Sequence, residues 1–497
     1  MTTATELHTP APPATAGPGG NGRWWALVVL AMAQLMVVLD ATIVNIALPT
    51  AQQDLGFSDA SRQWVVTGYA LAFGSLLLLG GRLSDFFGRK RMFLIGLIGF
   101  ALASALGGAA NGIEMLIVAR ALQGAFGAAL APAALSLLAT TFTDPADRGK
   151  AFGIFGAISG AGGAVGLLLG GVLSEYASWR WCLYVNLVIA AVAVAGALVK
   201  LADERVTSRN KLDMPGVVTS VGGLVGVVFG LGKVETDGWG AASVLVPLFA
   251  GVVLLVAFVV IELRVPHPLL PLRVVLDRNR GGAYASIAIS GAGMFGIFLF
   301  LTFYMTKYLH FSQIQTGLAF LPMLAAIMTT ATTAGSILTP KIGPRPLVPV
   351  GALIAAGGMA YMTRLGLDSS YHFGVLPGLI IIGLGLGLVF APTQNAATSG
   401  VEHGDAGVAS AMINTMQQIG GSIGTALLSS FAASAGTHYA QTHAPSALLP
   451  ARAELAGFHT VFWWSCGFFL VAAVVATLLF RTGPLDVDPD APPAMAH

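Results

Sequence analysis

Fourteen apolar runs of 18 to 26 residues take up most of this 497-residue chain, and short polar segments separate them. A helix rises 1.5 Å per residue, so about 20 such residues cross the roughly 30 Å hydrocarbon core of a bilayer. Inside lipid every backbone N–H and C=O must be satisfied within the segment, and a helix does this. The runs are Trp24–Leu48, Gln63–Gly80, Met92–Ala110, Ile113–Leu138, Ala151–Leu173, Trp181–Leu201, Met214–Leu231, Ala241–Glu262, Ala283–Tyr308, Thr316–Thr339, Leu347–Leu365, Gly374–Ala397, Gly407–Ala432 and Phe458–Phe480. With 55% hydrophobic and 10% charged residues the chain stands far from soluble proteins, in which about a quarter of residues are charged. The expected fold class is an all-α polytopic membrane protein.

Charge orients the spans. With the N-terminal tail placed inside, 18 of the 25 Lys and Arg fall on the cytoplasmic side, six fall outside and Arg120 lies within a span. Short positive loops stay in the cytoplasm, so both termini are expected there. Residues 1–22, rich in Ala, Pro, Thr and Gly, read as a disordered tail and not as a cleaved signal peptide. That tail and the lack of Asn-x-Ser/Thr sites favour a bacterial inner membrane. The acidic tail 481–497 carries Asp486, Asp488 and Asp490, whose alternation suits a solvated tail better than a metal site. A net charge of +2, spread over short loops, gives no reason to expect nucleic acid as a partner. Cys182 and Cys466 lie in different runs and indicate neither a disulfide framework nor a thiolate metal site.

The densest charge near any run is the stretch from Gly81 to Arg91, which carries Arg82, Arg89, Lys90 and Arg91 between the second and third spans. Its length allows only a tight turn, so two helices meet here as an antiparallel hairpin. Gly81 is expected to end a helix and Gly88 to let the backbone turn, with Asp85 accepting from a helix N-terminus. The set Gly81, Leu83, Asp85, Gly88, Arg89 and Lys90 resembles the loop signature between helices 2 and 3 of the major facilitator superfamily of transporters. That resemblance implies two six-helix bundles around a central site. Gly81, Asp85, Gly88 and Arg89 would then form a conformational gate, Asp85 capping the free amides of Gly407 to Ser410 on closure. A second turn, Pro340, Lys341, Ile342, Gly343, Pro344 and Arg345, echoes the first without its aspartate. The expected layout is a bundle over 23–201, a linker with two extra spans over 202–281 and a second bundle over 282–480.

Ionisable residues deep in a span are costly in lipid and are functional candidates. Asp40 and Arg120 are the two such residues, each about 12 Å from the outer end of its helix at 1.5 Å per residue, so they can meet. An ion pair that serves packing alone is the competing reading. The runs Leu39 to Pro49 and Arg120 to Gly124, with Ser178-Trp179-Arg180-Trp181 leading to Asn186, resemble signatures of the fourteen-helix drug:proton antiporters within that superfamily. The resemblance implies a proton-transfer role for Arg120 and a coupling or substrate-binding role for Asp40. In the fifth span the signature expects Gly-Pro-x-x-Gly-Gly, whereas this chain has Leu167 after Gly166, which keeps a symporter or facilitator of a small metabolite open as an alternative.

Candidate substrate contacts are Asn45, Gln123, Tyr304, Gln394, Asn414, Gln417 and Gln418, with the amides of the thirteenth span sharing one helical face. Such a stripe either binds neighbouring helices or lines a wet cavity. The glycine run Gly383 to Gly387 lies in an apolar span and suits helix packing, not a nucleotide. His438, His443 and His459 lack metal-ligand spacing. The expected protein is therefore a monomeric proton-coupled exporter of amphipathic small molecules that needs the bilayer, protons and no cofactor. It is not expected to be an enzyme; the rival of another class is a membrane sensor that does not transport.

Overall fold

Helix breakers and caps cut the apolar sequence into long rods. The computed structural model describes residues 21–57, 59–201, 212–266, 268–402 and 405–485. Residues 1–20, the linker 202–211 and the acidic residues 486–497 lie outside the described set, as do the side chains of Asn45 and Leu167. The first half comprises α1 (Asn21–Leu55), α2 (Asp59–Phe87), α3 (Arg89–Gly108), α4 (Ile113–Thr141), α5 (Pro145–Tyr176) and α6 (Trp181–Lys200). Then come α7 (Met214–Asp237), α8 (Ala242–Glu262) and the short α9 (Leu272–Leu276). The second half holds α10 (Arg278–Lys307), α11 (Gln313–Thr333), α12 (Thr339–Ile342), α13 (Pro344–Met362), α14 (Leu376–Thr398), α15 (Ala406–Thr442) and α16 (Leu449–Leu479). A π-turn, Ala334–Leu338, joins α11 to α12, and another, Tyr371–Val375, leads into α14.

Each expected span falls on a long helix, α11 and α12 together making one. Eleven of these helices are long and apolar enough to cross a membrane by length and composition alone. Caps set several starts: Ser312 and Gln315 form a reciprocal capping box on α11, and Asp277 accepts the backbone N–H of Asn279 and Arg280 on α10.

The hairpin differs from the expectation at Gly81. Helix α2 does not end there; it runs on through Phe87, and the turn to α3 is Gly88 alone, at φ 93°. Only a residue without a Cβ adopts that backbone cheaply, so one glycine suffices and Gly81 is freed for another purpose. Between the halves, α2 packs on α15, α4 on α15, and α5 on α11 and α14. Helix α7 lies against both α2 and α15. Within the first half, α1 and α5 approach closely at glycines: a Cβ on Gly166 or Gly170 would press on Thr42 or Ile43.

Candidate functional site

Asp40 lies at mid-helix on α1 with no exposed surface, and Arg120 of α4 is equally buried. A guanidinium nitrogen of Arg120 donates to Asp40 Oδ2 and, over 2.9 Å, to Gln123 Oε1. Asp40 Oδ1 accepts from Gln123 Nε2 at 2.9 Å and from Asn186 Nδ2 at 2.8 Å. Both amides also donate to Ser104 Oγ, at 2.7 and 3.3 Å. Arg120 Nε points to the carbonyl of Val65 at 3.4 Å, and the guanidinium sits 4.4 Å from the centre of the Tyr69 ring. Five helices thus converge on one carboxylate. Removing a charge from water costs several kcal/mol, and an ion pair recovers it only when its remaining hydrogen-bonding capacity is filled, as the two amides do here. Asn186 Oδ1 is left without a partner among the described residues.

Where the halves meet near the α2–α3 turn, a second constellation forms. Gly407 at the start of α15 donates its backbone N–H to Asp85 Oδ1 at 3.0 Å, and Arg89 lies 4.0 Å from the same oxygen. Arg82 faces Asp405 across the seam at 3.5 Å. A Cβ on Gly81 would come within 2.6 Å of both the Gly407 carbonyl oxygen and the Ala411 Cβ. Gly81 therefore permits contact between backbones instead of ending a helix.

A pseudo-equivalent seam joins α5 to the π-turn after α11. A Cβ on Gly149 would collide with the carbonyl of Gly335, and one on Gly335 with that of Gly149. Four residues beyond Gly335, where Asp85 follows Gly81, stands Thr339, buried and with its hydroxyl unpaired among the described residues. Beside it Arg148 donates to Thr398 Oγ1 at 2.9 Å. Asp147, in the first turn of α5, pairs with Arg23 of α1 at 2.7 Å. Among the described residues the first seam is bridged by a carboxylate, whereas at the second Asp147 pairs within its own half and Arg148 makes the bond across.

The expected substrate contacts separate. Gln123 belongs to the Asp40 cluster. Tyr304 departs from its expected place: it lies in the second half's own core beside Tyr308 and Phe458, its hydroxyl donating to the Gly366 carbonyl at 2.7 Å. A ring with that partner is used up in packing. Gln394 is buried with Oε1 unpaired among the described residues, 3.5 Å from where a Cβ on Gly156 would lie. Asn414, Gln417 and Gln418 are half-buried, just beyond the fully buried start of α15. Asn45 is outside the described side chains.

Sequence reading singled out Asp40 and Arg120 but gave no role to Ser104, Tyr69 or the Val65 carbonyl, since a lone hydroxyl or ring in an apolar helix carries no local signal. The Trp179-Arg180 pair has a plain structural use. Trp179 and Arg180 both donate to Asp54 at 3.0 Å, and Arg180 also holds the carbonyls of Gly108 and Ala110.

The model of the Major Facilitator Superfamily matches residues 30–425. The chain is 47% identical to the puromycin resistance protein pur8 of Streptomyces alboniger, over 95% of each chain. It is 41% identical to the cephamycin export protein CmcT of Amycolatopsis lactamdurans, over 81% of this chain and 84% of that protein. It is 33% identical to the lincomycin resistance protein of Streptomyces lincolnensis, over 82% and 84%. Among solved structures, the human organic anion transporter MFSD10 (TETRAN) superposes with a TM-score of 0.62 over 91% of this chain and 99% of that one, at 14% identity, a likeness of fold.

Proposed function

The chain belongs to the major facilitator superfamily, in its drug-efflux branch, and from that premise we propose that it exports amphipathic small molecules across the cell membrane in exchange for protons. The relatives named for antibiotic resistance or export support the direction. The observation that carries the coupling is the buried Asp40–Arg120 pair, the one place among the described residues where an acid inside the membrane region is met by a cation and two amides.

The Gly81–Arg91 hairpin and both termini face the cytoplasm of a bacterial cell in this reading, so the seam at Asp85 is the inner closure and the structure is the outward-open form. Exchange of one proton for a neutral drug moves one charge inward, worth about 2.3 kcal/mol per 100 mV. Gln394, Asn414, Gln417 and Gln418 line the substrate path, their amides serving as adaptable donors and acceptors beside apolar walls. The protein works as a monomer in the bilayer, as a transporter and not an enzyme.

Everted vesicles test the proposal. Adding puromycin to vesicles acidified by respiration should drain protons from the lumen of those holding the wild-type protein, and not of those holding Asp40→Asn. Drug uptake that persists after an uncoupler collapses the gradient would overturn proton exchange.

A further inference from the structure

The inserted helices reach the seam at Asp85 through a chain of hydrogen bonds. Glu262, at the end of α8 and 5% exposed, accepts the backbone N–H of Leu269 at 3.2 Å and of Leu270 at 3.1 Å, one on each carboxylate oxygen. The segment so held leads directly into α9, whose Arg273 donates to Asp405 Oδ2 at 2.7 Å and to Glu402 at 3.0 Å. Asp405 is the residue that Arg82 of the first half faces with its other oxygen, at 3.5 Å. Arg280 fastens α9 to the same loop, donating to the carbonyls of Val274 and Arg273 on one side and of Ser399 and Gly400 on the other.

We propose that Arg273 is a positioning residue for the closed seam: the segment following the inserted helix pair delivers it to Asp405, where it offsets the cost of burying that carboxylate against Arg82. The physical ground is the burial of Asp405, which is 5% exposed, whereas the Arg273 side chain is mostly in solvent. Closure takes the Asp405 charge out of water, and a single cation at 3.5 Å on one oxygen leaves the other uncompensated. Arg273 fills that oxygen with a charge-assisted bond. Glu262 acts one step back, fixing where α9 begins. The inserted pair thereby does more than join the halves, and its connection to α10 becomes part of the closure. The idea rests on the alternating-access reading for its consequence in transport, but not for its test.

Ser410 supplies the readout. It is fully buried, three residues after Gly407 on the face next to the one that meets Gly81. In full-length protein with Cys182 and Cys466 replaced, Ser410→Cys should react slowly with a maleimide. Arg273→Ala should raise that rate about threefold, as expected for an interaction worth a few tenths of a kcal/mol to 1 kcal/mol. Glu262→Ala should raise it in the same direction. In an Asp405→Asn background, where Arg273 has no Asp405 carboxylate to compensate, Arg273→Ala should change nothing. An equal rise in that background, or no rise in either, would overturn the proposal. Because the labelling needs neither substrate nor a gradient, loss of proton exchange leaves this result standing on its own.

Discussion

The backbone N–H of Gly407 donates to Asp85 Oδ1 over 3.0 Å, tying the start of α15 to the end of α2 and one half of the protein to the other. A carboxylate at a helix N-terminus interacts with free amides and with the positive end of the helix dipole, worth about 0.3–1 kcal/mol exposed and up to about 2 kcal/mol partly buried. Such a contact shifts a closed-to-open ratio and does not decide whether the protein folds.

Asp85→Asn keeps an acceptor oxygen and loses the charge. The closed seam should weaken by about 1 kcal/mol, a fivefold shift, with the amount of inserted protein unchanged. Maleimide labelling of Ser410→Cys beside a quantitative membrane blot reads both quantities. Unaltered labelling at normal abundance would remove the charge from the closure.

At the second seam the backbones of Gly149 and Gly335 touch, and no side chain at either position can swing aside. Gly149→Ala should therefore open this seam and lower transport severalfold while the helix itself tolerates the methyl group. Gly232→Ala is the control: its surroundings hold nothing within 4 Å, so the change should be neutral or slightly favourable to α7. Equal loss from both variants would point to helix damage instead of seam contact.

Asp405 makes the closure sensitive to acid in a direction that can be worked out. Burial pushes its carboxyl above the ordinary range; Arg273 and Arg82 pull it back, and Glu402 raises it further. An open seam that hydrates Asp405 returns it to the ordinary range, so closing takes up protons. The closed form should gain as pH falls through the interval between the raised and ordinary values, and lose that gain as pH rises through it. Asp405→Asn should flatten this response in the labelling assay, leaving only what the Asp85 carboxyl at the same seam contributes.

Much of this arrangement was legible in the chain. Run length gave the spans, and the matching depth of Asp40 and Arg120 in two different runs showed that they can meet, as they do. The hairpin motif located the contact of Asp85 with Gly407. Gly81 was misread because a glycine before a charged stretch looks like a helix end, whereas its lack of a Cβ serves a neighbour 326 positions away. The pairing of Gly149 with Gly335 and the shared use of Asp405 by Arg82 and Arg273 depend on how the two halves dock, and no local pattern encodes that. Tyr304 was misplaced for the same reason: aromatic content says nothing about which face of a helix a neighbour will cover.

Asp40 and Arg120 should respond unequally to loss of the partner. Breaking a buried ion pair from one side costs about 3–5 kcal/mol when the remaining charge stays ionised. An orphaned carboxylate can escape by taking a proton, but an orphaned guanidinium stays charged at any physiological pH. Asp40→Asn should therefore be the more destabilising change, lowering thermal stability in detergent and abolishing proton-driven export. Arg120→Ala should be milder. Asp40→Asn combined with Arg120→Gln removes both charges while keeping polar side chains of similar size for Gln123, Asn186 and Ser104 to contact. That double variant should recover much of the stability lost in Asp40→Asn and none of the coupled transport. Recovery of both would reduce the pair to a packing device, and recovery of neither would show that the charges hold the five helices together; only stability without coupling separates the carboxylate's chemistry from its structural place.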